Sequence, residues 1–192
     1  MTSSSQQLTP LLEATFRELF QAERSATRHP RVEASRLGTT PPGDVMEEIA
    51  AHADGQIEKL DELAVARGMT PASGAKTIGS AFSVIRDNLA DLTTTTEQSY
   101  RVTMLGVRHG IDLVRMLREL ALRASDESLK QWSEAWLSRR LELAEQAETE
   151  LAWFVANPER ALAPVRTTPL AYMVRSALKA FGKLDTGRAA GA

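Results

Sequence analysis

The sequence predicts an all-α fold: four long helices in a bundle, a long crossover between the second and third, and a basic amphipathic helix at the C-terminus. Three observations carry this prediction. Strand-like alternation is absent, and Ala, Leu, Glu, Arg and Gln dominate the chain. Four long segments repeat their apolar residues at the helical period. The breaks after the first and third segments are short, whereas roughly 30 residues separate the second from the third, which is the connection that sets those two parallel.

Thr9 and Pro10 suit an N-cap and first turn. Leu8, Leu11, Leu12, Thr15, Phe16, Leu19, Ala22 and Ala26 share a face, so a first helix runs to about Arg28, with Pro30 expected to bend or end it. "GTTPPGD" (38–44) breaks the chain, and Asp44 is the expected cap of a second helix, Val45 to about Arg67. Its inward residues are Val45, Met46, Ile49, Ala53, Ile57, Leu60, Leu63 and Ala64, and "RGMTPASG" ends it. Residues 77–92 read as a short extra helix in the crossover. Thr94 and Glu97 have capping-box spacing before a third helix that runs to about Arg123. "ASDES" turns the chain into a fourth helix over about 127–156, which stops at "NPE". Two short hairpins and one long crossover give the ferritin-like topology, here over residues 1–160, with 161–192 as a tail.

With 192 residues, the chain is long enough to bury a full core. It carries 23 basic and 25 acidic residues, so no general basic field favours nucleic acid. The absence of cysteine excludes disulfides, thiolate catalysis and thiolate metal sites. "MTSSSQQLTP" lacks the pattern of a secretory signal, and no apolar run has the length of a membrane span, so a cytoplasmic protein is expected.

Within "AWLSRRLELAEQ" (135–146), Arg140 falls near the centre of the apolar face set by Leu129, Trp132, Trp136, Leu137, Ala144, Ala147, Leu151 and Phe154, while Arg139 falls on its flank. Glu23 lies near the centre of the first helix's face. His52 and Gln56 border the second's, and Gly106 and Gly110 share the third's with Leu113, Val114 and Leu117. The hairpins bring Glu23, His52, Gly110 and Arg140 to comparable depths. A lone glutamate on an apolar face commonly snorkels to water. A buried one needs partners, because desolvation costs several kcal/mol per ion, and an arginine cannot discharge. The least costly arrangement is a Glu23–Arg140 pair with His52 or Gln56 taking leftover hydrogen bonds, and with the glycines leaving room beside the guanidinium.

The Ala-Glu at 22–23, Pro30 seven residues later, and "EEIAAHADGQIEKLDELAVARGM" (47–69) resemble the YciE/YciF-like branch of the ferritin-like proteins over about residues 10–70. The resemblance implies a bundle holding two irons through Glu and His, with Glu23 and His52 at two ligand positions. The chain departs from that pattern twice. Val107 and Gly110 stand at the third helix's Glu-x-x-Glu, and "LSRR" (137–140) stands at the fourth helix's acidic segment. A guanidinium there repels a metal by roughly 4 kcal/mol per unit charge pair at an effective dielectric of 20. The expectation is therefore a ferritin-like scaffold without a cofactor, its di-iron centre replaced by an internal ion pair. Such a protein is a non-catalytic interaction or stress-associated module rather than an enzyme.

The alternative is a di-iron oxidase or iron-binding protein that keeps Glu23, Glu48 and His52 and recruits His109 and Asp112. Against it, Asp112 falls on an outer stripe beside Arg108 and Arg115, where a salt bridge is the ordinary explanation. His29 has no ligand-spaced partner and reads as a surface residue. In "PLAYMVRSALKAFGKL" (169–184), Leu170, Met173, Val174, Ala177, Leu178, Phe181 and Leu184 share one face opposite Arg175, Lys179 and Lys183. Such a tail docks on its own bundle or a dimer mate, on an anionic membrane surface, or into a protein shell. Specific nucleic-acid binding is not expected.

Overall fold

The computed structural model describes residues 3–70 and 94–165, with side chains from residue 9 onward. The expected helices over 77–92 and 169–184 lie outside the described residues, as do Arg175, Lys179, Phe181 and Lys183. All regular structure described is helical: α1 Ser3–Leu37, α2 Pro41–Val65, α3 Thr96–Ala124, α4 Glu127–Thr149, α5 Leu151–Ala156 and α6 Pro158–Ala161. One isolated bridge joins Thr95 and Pro164. No helix among the described residues is long and apolar enough to cross a membrane.

Pro30 does not end the first helix. α1 runs through it to Leu37. The proline removes one backbone donor, but the last two turns of α1 are held by packing against α2, with Leu37 buried and Arg31 bonded to Glu47 (3.4 Å) and Asp54 (3.0 Å). Tertiary contact of this kind supplies most helical stability in proteins. Gly38 stops α1 with a positive φ of 67°, a conformation that favours glycine.

Asp44 is not the cap of α2. Thr40 is the extended N-cap, its hydroxyl accepting from the Gly43 N–H (3.4 Å), with Pro41 in the first turn. Gly43 is required where it stands, since a Cβ there would collide with the Gly38 carbonyl. The capping box before α3 also lies one residue later than Thr94 and Glu97. Thr95 N–H donates to Gln98 Oε1 (3.1 Å), and Gln98 N–H donates to Thr95 Oγ1 (3.4 Å). Asp126 caps α4 by accepting from Leu129 N–H (3.1 Å), after Ser125 turns the chain at φ 55°.

The described residues fall into two compact units, one of 3–70 with 101–153, the other of 94–100 with 154–165. In the first, side-chain pairs fix the helix directions. Glu48 meets Arg139, Gln56 meets Trp132 and Arg67 meets Asp126, so α2 and α4 are antiparallel. The short turns at 38–40 and 125–126 reverse α1 into α2 and α3 into α4, which leaves α2 and α3 parallel. The interior of this unit is built from residues such as Leu19, Met46, Ile49, Val114, Leu117 and Leu143, all essentially inaccessible. In the second unit, Thr96 N–H (2.8 Å) and its hydroxyl (2.9 Å) both donate to the Ala163 carbonyl, and the Tyr100 and Phe154 rings pack at 5.0 Å.

Candidate functional site

Glu23 and Arg140 meet in the middle of the first unit, and neither has any solvent exposure. Arg140 sits where the period of α4 places it, one turn beyond Trp136 on the inward face. Its Nη2 donates to Glu23 Oε2 (2.8 Å) and its Nε to His52 Nδ1 (3.0 Å). Accepting at Nδ1 fixes His52 as the neutral tautomer with its proton on Nε2. The guanidinium lies 4.6 Å from the centre of the Trp136 ring, a cation–π stack, and the His52 ring packs on the same indole at 5.8 Å. Gly110 closes the fourth side. A Cβ there would lie 3.7 Å from Glu23 Oε1 and 3.8 Å from the Trp136 ring edge.

Burial pushes the Glu23 carboxyl above the usual carboxylate range and Arg140 below the usual guanidinium range, and their mutual attraction offsets part of each shift. The Trp136 indole also favours the charged form of Glu23, although its N–H makes no hydrogen bond. Glu23 Oε1, Arg140 Nη1, Trp136 Nε1 and Ser133 Oγ are buried without a protein hydrogen-bond partner. This cluster is therefore costly relative to an apolar core.

His52 is pushed down from 6.5 to about 4, first by burial and then by the charges of Arg140, Arg139 and Lys59. A depressed histidine binds its proton more readily in the unfolded chain. Its contribution to stability is fully present above the unfolded value and is lost as pH falls from there toward the folded one. We expect urea unfolding to show a loss of about 2–3 kcal/mol between pH 7 and pH 4 from this group. His52→Gln, which keeps an acceptor for Arg140 but does not titrate, should flatten that slope. An unchanged slope in the variant would refute the assignment.

Of the other residues expected here, Gln56 does not join the pair. It accepts instead from the half-buried Trp132 indole N–H (3.2 Å). Gly106 is not on the inner face of α3 but exposed, with open space around it. The buried set on α3 includes Met104, Val107, Ile111 and Val114, which turns Gly106 outward. Asp112 pairs with Arg115 (3.1 Å), the ordinary salt bridge expected for it.

Three features escaped the sequence reading. Glu33 is buried, held by both carboxylate oxygens to Arg36 (2.8 Å each). Arg67 grips Asp126 at 2.7 and 2.8 Å, tying the end of α2 to the α3–α4 turn. Trp136, read only as core, is the platform under Arg140. An i, i+4 aromatic–Arg spacing on one inward face was the available signal.

These residues do not fit the two irons implied by the resemblance. The guanidinium is hydrogen-bonded to both Glu23 and His52, the two positions where ligands would stand. The alternative ligands are not brought together either. Glu48 is exposed and bonded to Arg139 (2.7 Å), and His109 is exposed and paired with Glu18 (3.1 Å). Among the described residues, no group of three or more His, Cys, Asp or Glu is arranged to hold a metal ion. No family model, no curated protein and no solved structure matches the chain.

Proposed function

We propose that this chain is a ferritin-like four-helix bundle without catalytic activity, in which the Glu23–Arg140 ion pair occupies the place of a di-iron centre, and that it works through protein contacts. The observation that carries this reading is Arg140, wholly buried and bonded to both Glu23 and His52. Parallel α2 and α3, joined by a long connection, support the ferritin-like topology. One carboxylate and one guanidinium already cancel at this level, so a divalent ion would add charge with nothing to neutralise it. The basic segment 161–192, with Arg175, Lys179, Phe181 and Lys183, supplies a partner contact in this reading. A stress-associated role follows from the resemblance alone.

The test is ferrous iron titration followed by near-ultraviolet absorbance, with metal analysis of the purified protein. Binding at background level is expected. Arg140→Glu, which supplies a second carboxylate beside Glu23 and His52, should gain measurable affinity. Two irons bound per chain in the native protein would overturn the proposal.

A further inference from the structure

We infer that the groove between α3 and α4 is a self-association surface whose occupant is a second copy of this chain, related by a two-fold axis. The groove encloses about 740 Å³, and the buried Leu120 and Leu137 give it an apolar floor. Three large apolar side chains on it remain strongly exposed: Leu11 at 46%, Met116 at 44% and Leu141 at 41%. Exposed apolar surface gathered in one groove marks an interaction site, whereas single exposed residues do not.

Charge selects the occupant. Of the three arginines lining the groove, Arg115 is bonded to Asp112 and Arg118 to Glu119. That leaves Arg123 as the one lining cation and Glu134 as the one lining anion with no side-chain partner among the described residues. An acidic partner would leave Glu134 opposed by like charge, and a basic partner would do the same to Arg123. A surface offering one spare charge of each sign is complementary to itself, which is the condition for an isologous interface. With the axis lengthwise along the groove, α3 of each copy lies against α4 of the other. Arg123 then faces Glu134 of the second copy, Met116 faces Leu141 of the second copy, and each contact occurs twice.

Self-association through this groove is independent of whether the Glu23–Arg140 cluster holds metal. Sedimentation velocity on the full chain over a concentration series tests it directly, with a monomer–dimer equilibrium expected. Arg123→Glu or Glu134→Arg alone sets like charges together twice and should weaken dimerisation about tenfold or more. The double exchange, Arg123→Glu with Glu134→Arg, should restore most of the loss. Met116→Glu or Leu141→Glu should leave a monomer whose circular dichroism and unfolding midpoint match the parent, since both side chains are exposed. A monomer at every concentration overturns the inference. So does a dimer indifferent to Leu141→Glu, or a double exchange that restores nothing.

Discussion

Arg140→Met is expected to cost about 3–5 kcal/mol of folding free energy at pH 7.5, because it strands the fully buried Glu23 carboxylate without its counter-charge. Urea unfolding followed by circular dichroism measures it. The variant carries a second signature that simple loss of packing would not give. Burial already raises the Glu23 carboxyl, and removing the guanidinium takes away the chief influence that lowers it. A carboxyl raised in the folded state binds a proton there while the unfolded chain does not, so folding gains as pH falls through the folded value. The variant should therefore gain stability as pH falls through the raised folded value of Glu23. In the parent, where Arg140 offsets part of that shift, the loss on acidification from His52 should outweigh it. Glu23→Gln in the Arg140→Met background should recover much of the loss at pH 7.5 and abolish the gain on acidification, leaving the opposite response of His52. An apolar pair of similar volume, Glu23→Leu with Arg140→Met, should come within about 1 kcal/mol of the parent or exceed it. An Arg140→Met protein as stable as the parent would show that the pair is wet.

The Glu23–His52–Arg140 cluster was legible in the sequence because Glu23 and Arg140 interrupt apolar stripes of fixed period and His52 borders one, and the turns at 38–40 and 125–126 set the depths at which the helices compare. Charge rules did the rest: a buried guanidinium has few partners it can take. Legibility failed where two local rules competed. At Pro30 the loss of a backbone donor argued for an end to the helix, but contacts with α2, invisible in the sequence, keep it intact. At Gln56 the position was right and the partner wrong, because Trp132, about two turns before Arg140 on α4, presents an indole donor to the amide. Gly106 was misplaced because glycine contributes nothing to a hydrophobic period, so its phase had to be read from neighbours. Thr40 rather than Asp44 caps α2 because two consecutive prolines fit the first turn of a helix better than the strand or loop before it.

Trp136→Ala is expected to cost about 3–5 kcal/mol, the range for deleting a large buried aromatic, and Trp136→Phe considerably less. The difference between the two is informative because this ring does more than fill volume. It forms the face on which the Arg140 guanidinium rests at 4.6 Å, and it backs the His52 imidazole at 5.8 Å. Alanine opens a cavity beside Glu23 Oε1 and Arg140 Nη1, polar atoms that would draw water into it. Water at that level screens the charge of Arg140 and relieves the burial that depresses His52, so the histidine should titrate closer to its ordinary 6.5 than to about 4. A shift of the His52 ring resonances toward that value in Trp136→Ala, absent in Trp136→Phe, separates solvation of the cluster from loss of packing alone. The cycle with Arg140→Met sharpens the same point. If Trp136 stabilises the protein partly through the cation, the two losses will sum to more than the double variant shows. Strict additivity would mean that the indole is ordinary core and that the ion pair is held by Glu23 and His52 alone.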